Sequence, residues 1–363
     1  MDHVATELME IIGDCFDDTF EFELNCLYLD CTFDAVDIND RFDNCKFQDC
    51  TFSYCAFDDL TINDRFEDCE FIDCEFTDCT VRSESCTISE CTFNGGGIGN
   101  GAFAEGNILD CAFDRTVFFV ERVDEVRFCS FMNCDLSRLI LKTVCGCKFI
   151  GCDLGVFTGI SSDACTFDDC KATAVSFDEL TDTKILNCSW PDIFTAATVR
   201  ESVIEDSIIT GAKFRHGEIE DLCLTRCDLA RAEFVSEGVD FVSILNCNTV
   251  GCTFTDCRIT DCTIEVDRCD EEYNEGYSSK EMVFSQSSIA TLEVVDTDIQ
   301  LTTFSLCKFD ASQCRSSNLG GVVFLDSEGE FELDDCHTIG MKMDEHSYDS
   351  IEIFQDTIVE VAS

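Results

Sequence analysis

The chain is short of almost everything on which catalysis or nucleic-acid binding is usually built. Its 363 residues hold one proline (Pro191), one tryptophan (Trp190) and four scattered histidines, His3, His216, His337 and His346. Basic residues are scarce, with 23 Lys and Arg against 75 Asp and Glu, a net charge of −52. No basic patch can form, so direct binding of nucleic acid is excluded. Gly-x-Ser-x-Gly, His-Glu-x-x-His, a Walker lysine and an EF-hand loop are all absent. Carboxylates are so abundant that any pair picked as acid and base carries no information. The reading is not an enzyme, with no catalytic residue and no cofactor. No apolar run is long enough to span a bilayer, and the opening MDHVATELMEIIGD lacks the basic region of a secretory signal. A cytoplasmic protein with no membrane partner is expected. Cys-x2-Cys pairs, which structural zinc sites use, are also missing. Cys145/Cys147 and Cys223/Cys227 are the odd spacings, and two ligands do not close a site, so no metal is expected.

What the chain has in excess is phenylalanine, 33, and cysteine, 30. Both fall on a beat of five. Residues 38–60 are followed by a near copy at 62–81, offset by 24, and inside each copy runs Cys-x-Phe-x-x: Cys45/Phe47, Cys50/Phe52, Cys55/Phe57, then Cys69/Phe71, Cys74/Phe76, Cys79/Val81. Apolar positions i, i+2, i+5, i+7 scatter around a helix. In a straight strand, i+5 lands on the wrong face. The pattern resolves if the chain runs briefly extended, turns a corner and repeats, both apolar residues of each pentad pointing inward. Stacked coils then satisfy one another's backbone. Cys45, Phe47, Cys50, Phe52, Cys69, Phe71, Cys74 and Phe76 are the expected core. A second run keeps the beat for eight pentads, from Ala197/Val199 to Ala232/Phe234.

These residues resemble the pentapeptide-repeat family. The resemblance implies an all-β fold, a right-handed quadrilateral β-helix of four pentads per coil with capped ends. The 24-residue repeat then reads as a coil of 4+5+5+5+5, which stacks Cys50 on Cys74. Parallel thiols at strand spacing meet the disulfide dihedral poorly, and 22 of the 30 cysteines stand two residues before a large apolar residue. They read as reduced, small core residues. Residues 1–20 are expected to cap the solenoid, with Val4, Leu8, Ile11 and Ile12 at helical spacing. Repeats fill 21–326, interrupted by loops near 94–101 (GGGIGNG) and 268–281. Residues 327–363 are expected to cap the other end or to dimerise.

The charge points to a partner. At ~4.8 Å per coil the repeats make a rod roughly 70–90 Å long, with about one charge per 1.4–1.7 Å, against about 1.7 Å in duplex DNA. Net charge is −21 over residues 1–90, −6 over 91–200, −9 over 201–270 and −16 over 271–363. The 24-residue offset puts Asp49 with Asp73, Asp43 with Glu67, Asp40 with Asp64, and Asp30 with Tyr54 and Asp78. The sequence therefore reads as a DNA mimic that occupies the basic groove of a DNA-binding protein and inhibits it. The family includes members that bind DNA gyrase and confer quinolone resistance. A nuclease, restriction enzyme or other defence protein would suit a phage-encoded chain. The expected binding face comprises Asp30, Asp34, Asp40, Asp43, Asp49, Asp58, Asp59, Asp64, Glu67, Asp68, Asp73 and Asp78. The alternative is a scaffolding solenoid without catalysis.

Overall fold

A computed structural model describes residues 9–17, 26–38, 46–58, 61–67, 70–72, 74–77, 79–84, 87–98, 107–118, 121–192, 194–215, 217–236, 238–260, 262–265, 281–295, 297, 299–354 and 360–361. The chain is 61% strand and 1% helix, a parallel β-solenoid of about 13 turns. Its strands are two to twelve residues long and every recorded pairing is parallel. Large apolar residues at the centre of each pentad point inward and stack on their counterparts one coil away. Between pentads the backbone turns at residues of positive φ, among them Asp30, Asp49, Asp110, Asn133, Gly146 and Gly151. Asp, Asn and Gly are the residues that enter this left-handed region most readily.

Two compact units divide the chain: residues 1–160 with 165–173, and residues 161–164 with 174–363. In the N-terminal unit the register is set by ring stacking. Tyr28 pairs with Phe47, Phe33 with Phe52, Phe52 with Phe71 and Phe57 with Phe76, with ring centroids 4.5–5.1 Å apart. Each of these steps advances the numbering by nineteen, not twenty-four. The coil is 5+5+5+4, and the sequence repeat overshoots it by one pentad. Neighbouring pentads are so alike that the chain aligns with itself best one pentad out of register. Cys74 therefore follows Cys55, not Cys50. Beyond Phe76 a column Phe93, Phe113, Phe131, Phe149, Phe167 continues, each ring 4.5–4.9 Å from the last.

The N-terminal end departs from the expected helix. Met9–Ile12 is a strand paired with Cys26–Leu29, and Cys15–Phe16 pairs with Thr32–Phe33. Ile11 and Ile12 thus belong to the ladder, and Val4 and Leu8 lie outside the described residues. The break expected from residue 94 also starts later. Gly95 and Gly96 turn a corner at positive φ, and Gly97–Ile98 is a strand between Thr80–Val81 and Val117–Phe118. A Cβ on Gly96 would lie 2.1 Å from the Cys79 carbonyl oxygen, so only glycine fits there. Residues 99–106 lie outside the described set.

The C-terminal unit keeps a longer coil. Phe214, Phe234 and Phe254 stack at steps of 20, as do Phe284, Phe304 and Phe324. Val199, Ile204, Ile209 and Phe214 are the four inward centres of one such coil, all fully buried. Phe254 stacks on Phe284 at 4.7 Å. That step is half as long again as its neighbours, so the chain carries an insertion there, and 266–280 lie outside the described set. The tail after residue 327 continues the ladder. Glu328–Asp334 pairs with Lys308–Arg315, and Ile351–Phe354 pairs with Glu328–Asp334 in turn. The one described helix, Glu345–Ser350, is capped by Asp344, whose side chain accepts from the Ser347 N–H at 2.8 Å.

Candidate partner surface and thiol-lined core

The slot two residues before each central side chain is inward, small and a donor. Cys50 Sγ lies 3.4 Å from the Tyr28 carbonyl and 3.3 Å from that of Gln48; Cys74 Sγ lies 3.4 Å from Phe52 and 3.3 Å from Ile72. Each thiol donates into the turn between coils, where carbonyls point inward. Ser317 and Ser327 do the same with shorter bonds, 2.7 and 3.0 Å, to Arg315 and Leu325. Hence the slot takes Ser as readily as Cys, and a small apolar residue fills it at Ala212 and Ala232. Of the described cysteines, all but Cys15, Cys145, Cys223 and Cys336 are buried. Burial pushes the Cys252 and Cys262 thiols up to about 12.

Of the expected core, Phe47, Cys50, Phe52, Phe71, Cys74 and Phe76 are buried, and Cys45 and Cys69 lie outside the described residues. Of the expected acidic face, Asp30, Asp34 and Asp49 are exposed. Asp58, Asp64 and Glu67 sit on strands Ala56–Asp58 and Thr61–Glu67. Asp40, Asp43, Asp59, Asp68, Asp73 and Asp78 lie outside the described residues. The columns differ from those expected because the coil closes one pentad sooner than the sequence repeat. Asp30 and Asp49 share one corner, both at φ 53, and the Asp30 N–H donates to the Gln48 carbonyl at 3.1 Å. Tyr54 shares the next corner with Ala35, both at φ 54, not with Asp30. Glu67 pairs across the ladder with Gln48 and Glu84.

The corner geometry had a sequence signal that the pentad beat alone does not reveal. Asp, Asn or Gly stands before the inward cysteine again and again: Asp30-Cys31, Asp49-Cys50, Asp110-Cys111, Asn133-Cys134, Gly146-Cys147, Asn246-Cys247. Those dipeptides mark left-handed corners.

Many cations are already engaged by carboxylates. Arg200 bridges Glu179 and Glu218 at 3.2 and 3.1 Å, Arg226 bridges Glu205 and Asp206, and Arg315 meets Glu293 at 3.6 Å, each pair spanning adjacent coils. The Arg226 guanidinium holds the Asp206 carboxyl below its ordinary range. Exposed pairs of this kind add little stability, but they cancel positive charge where it occurs. His337 and His346 are exposed and lie in no cluster, and no three metal-ligating side chains converge among the described residues. No helix among them is long and apolar enough to cross a membrane.

The pentad centres, the inward small slot and the four-pentad coil together decide the architecture. The fold is a parallel β-solenoid wound on a five-residue beat. No family model and no curated protein matches the sequence. Among solved structures, this solenoid is similar to QnrB1, a plasmid-mediated fluoroquinolone resistance protein, at 13% identity over 61% of this chain and 94% of that one, with a TM-score of 0.21. It is also similar to HetL, a pentapeptide repeat protein involved in heterocyst differentiation regulation in the cyanobacterium Nostoc sp., at 9% identity over 55% and 84% of the two chains, TM-score 0.16. A PL6 alginate lyase aligns at 10% identity over 92% and 87%, TM-score 0.18.

Proposed function

We propose that this pentapeptide-repeat solenoid is a non-catalytic DNA mimic whose acidic N-terminal coils occupy the basic groove of a DNA-binding protein. One observation carries the reading. The register closes three coils in succession, from Phe33 to Phe52, from Phe52 to Phe71 and from Phe71 to Ile88. Residues 34–88 carry fifteen acids and four bases, net −11. Three coils rise about 14 Å, so the density is about one charge per 1.3 Å, above that of duplex DNA at about 1.7 Å. The next coils of the same unit do not share it. Residues 114–149, which make two coils, carry five acids and six bases, net +1. Self-repulsion destabilises a fold, and solubility needs far less charge than this. A general solubilising coat would also not stop within one unit. The target is a topoisomerase such as gyrase, or a nuclease or restriction-type defence protein. The reduced thiol core suits a cytoplasmic setting.

The test is capture from a bacterial lysate on the immobilised protein, eluted with short duplex DNA. A DNA-binding protein released by duplex, with affinity falling steeply as salt rises, supports the reading. Retention of nothing at low salt refutes it.

A scaffolding role has its own observation. On the C-terminal unit, Thr253, Thr255, Val283, Ser285, Thr303, Ser305, Val323 and Leu325 are the outward positions flanking Phe254, Phe284, Phe304 and Phe324, and none is charged. Leu301 and Leu306 stand exposed on the corners of this face, at φ 59 and 55, a backbone region costly for a bulky side chain. An uncharged strip on so acidic a chain favours a protein contact there, and a second copy of the chain is one candidate to fill it. Sedimentation of the parent against a Leu301→Asp, Leu306→Asp variant separates self-association from monomer.

A further inference from the structure

Sequence spacing argues against a metal because Cys-x2-Cys pairs are missing. The register brings together other cysteines, one coil apart. In the N-terminal unit Cys55, Cys74 and Cys91, then Cys111, Cys129, Cys147 and Cys165, occupy one inward slot on seven successive coils, each two residues before a stacked phenylalanine from Phe57 to Phe167. None is more than 2% exposed. Each thiol lies against the backbone of its neighbour one coil away: Cys129 Sγ accepts from the Cys111 N–H at 3.4 Å, and Cys165 Sγ accepts from the Cys147 N–H at 3.4 Å.

Packing does not require seven thiols. The equivalent inward slot is filled by Ser202, Ser207, Ala212, Ala232, Ser287 and Ser327 in the C-terminal unit, all buried. Their hydroxyls, where present, make the same contacts with backbone carbonyls.

We propose that this thiol column binds linear, two-coordinate soft cations of the Cu(I), Ag(I) and Hg(II) class, each held between thiolates of adjacent coils. The rings that share the column's register stack 4.8, 4.9 and 4.8 Å apart from Phe113 to Phe167. Two metal–sulfur bonds of roughly 2.3 Å, laid end to end, span about 4.6 Å. A cation on the stacking axis meets inward-pointing Cβ–Sγ bonds near the right angle that sulfur favours. No three donors converge among the described residues, so a tetrahedral zinc has no site here. The column offers ligands two at a time, and soft thiolates select soft cations. Each binding event exchanges two thiol protons for one cation. With Hg(II) the product is a neutral bis-thiolate, which leaves no charge in the apolar core. Seven thiols taken in adjacent pairs hold three cations. This site is independent of the acidic surface and of the DNA-mimic reading.

The test titrates the reduced full-length chain with Hg(II) without oxygen. Native mass spectrometry counts bound ions, X-ray absorption reads the sulfur neighbours, and circular dichroism follows the strands. One variant changes Cys15, Cys145, Cys223 and Cys336 to Ser. A second adds Cys111→Ser, Cys129→Ser and Cys147→Ser, which leaves Cys55, Cys74 and Cys91 as the adjacent thiols of this column and leaves every other column as in the parent. The first should bind like the parent, with two sulfurs per ion and an unchanged strand signal, and the second should bind two ions fewer. Equal counts in both variants, or loss already in the first, would overturn the proposal. So would three or four sulfurs per ion in the parent, or uptake only as the strand signal collapses, readings that hold whether or not the second variant folds.

Discussion

Alkali should unfold the C-terminal unit well below the pH at which most proteins fail. Cys252 and Cys262 are pushed up to about 12 and Cys307 to about 11, in each case chiefly by removal of the thiol from water. Their ordinary value is about 9. Each folded-state pKa is raised, so the stability these thiols protect is complete below about pH 9 and is lost as pH rises through 11 and 12. In that window the unfolded chain ionises and the folded one does not. Each thiol then costs up to about 1.4 kcal/mol per pH unit. Summed over the three, the loss by pH 11 is about 8 kcal/mol, comparable with the entire stability of many domains. Urea unfolding followed by circular dichroism at pH 8, 9, 10 and 11, with reductant present, measures it. Changing Cys252 and Cys262 to Ser, a residue the slot already accepts at Ser287 and Ser327, should remove the share of the loss that those two thiols carry, about 5 kcal/mol by pH 11. Stability unchanged between pH 9 and 11, or an equally steep loss in the serine variant, would refute the reasoning.

Gly96→Ala should destabilise the N-terminal unit by about 2–4 kcal/mol, because the new Cβ meets the Cys79 carbonyl oxygen at 2.1 Å; urea midpoints test this. Phe234→Ala removes a ring stacked 4.7 Å from Phe214 and 4.5 Å from Phe254 and should cost about 3–5 kcal/mol in the same assay. Replacing Asp30 and Asp49 together by Asn keeps a residue suited to φ 53 and removes two charges. Stability should stay within about 0.5 kcal/mol, and affinity for a captured DNA-binding target should fall at least threefold. Equal affinity would exclude this corner from the binding face.

The pentad beat was legible because two inward residues in every five satisfy neither a helix nor a straight strand. That contradiction forces a corner. Coil length was not legible, since a repeat made of near-identical pentads aligns with itself at several offsets. Phe52 could meet Phe71 or Phe76 on sequence grounds, and only the stacking of rings at 5.1 Å selects Phe71. The N-terminal end differs from its helical spacing for a related reason. Ile11 and Ile12 suit helical spacing over a short window, but Met9–Ile12 meets the open edge of Cys26–Leu29, whose backbone groups need partners. Pairing outweighs local pattern there. Gly95 to Ile98 looked like a break because glycine usually marks a loop. Here Gly97–Ile98 is a strand in register with Val81 and Phe118, the place of an ordinary pentad.

The left-handed corners bear directly on what the acidity means. Asp30, Asp49, Asp110 and Asp169 stand at corners where the backbone asks for a residue tolerant of positive φ, so some aspartate is explained by the fold alone. The same geometry is met without charge at Asn133, Gly146 and Gly151, and even by Phe128, which is exposed and covers Gly146. The fold therefore demands a type of backbone and leaves the charge open. Described corners of the first coils include Asp30 and Asp49 beside the uncharged Ala35 and Tyr54, and those of the near-neutral coils include Arg115, Phe128, Asn133 and Gly146. Backbone geometry is the same in both stretches and the charge is not. Neutral corners are thus available to the fold and are used where residues 114–149 wind. The −11 carried by residues 34–88 is not a by-product of making corners, which is what the proposed DNA-mimic reading requires.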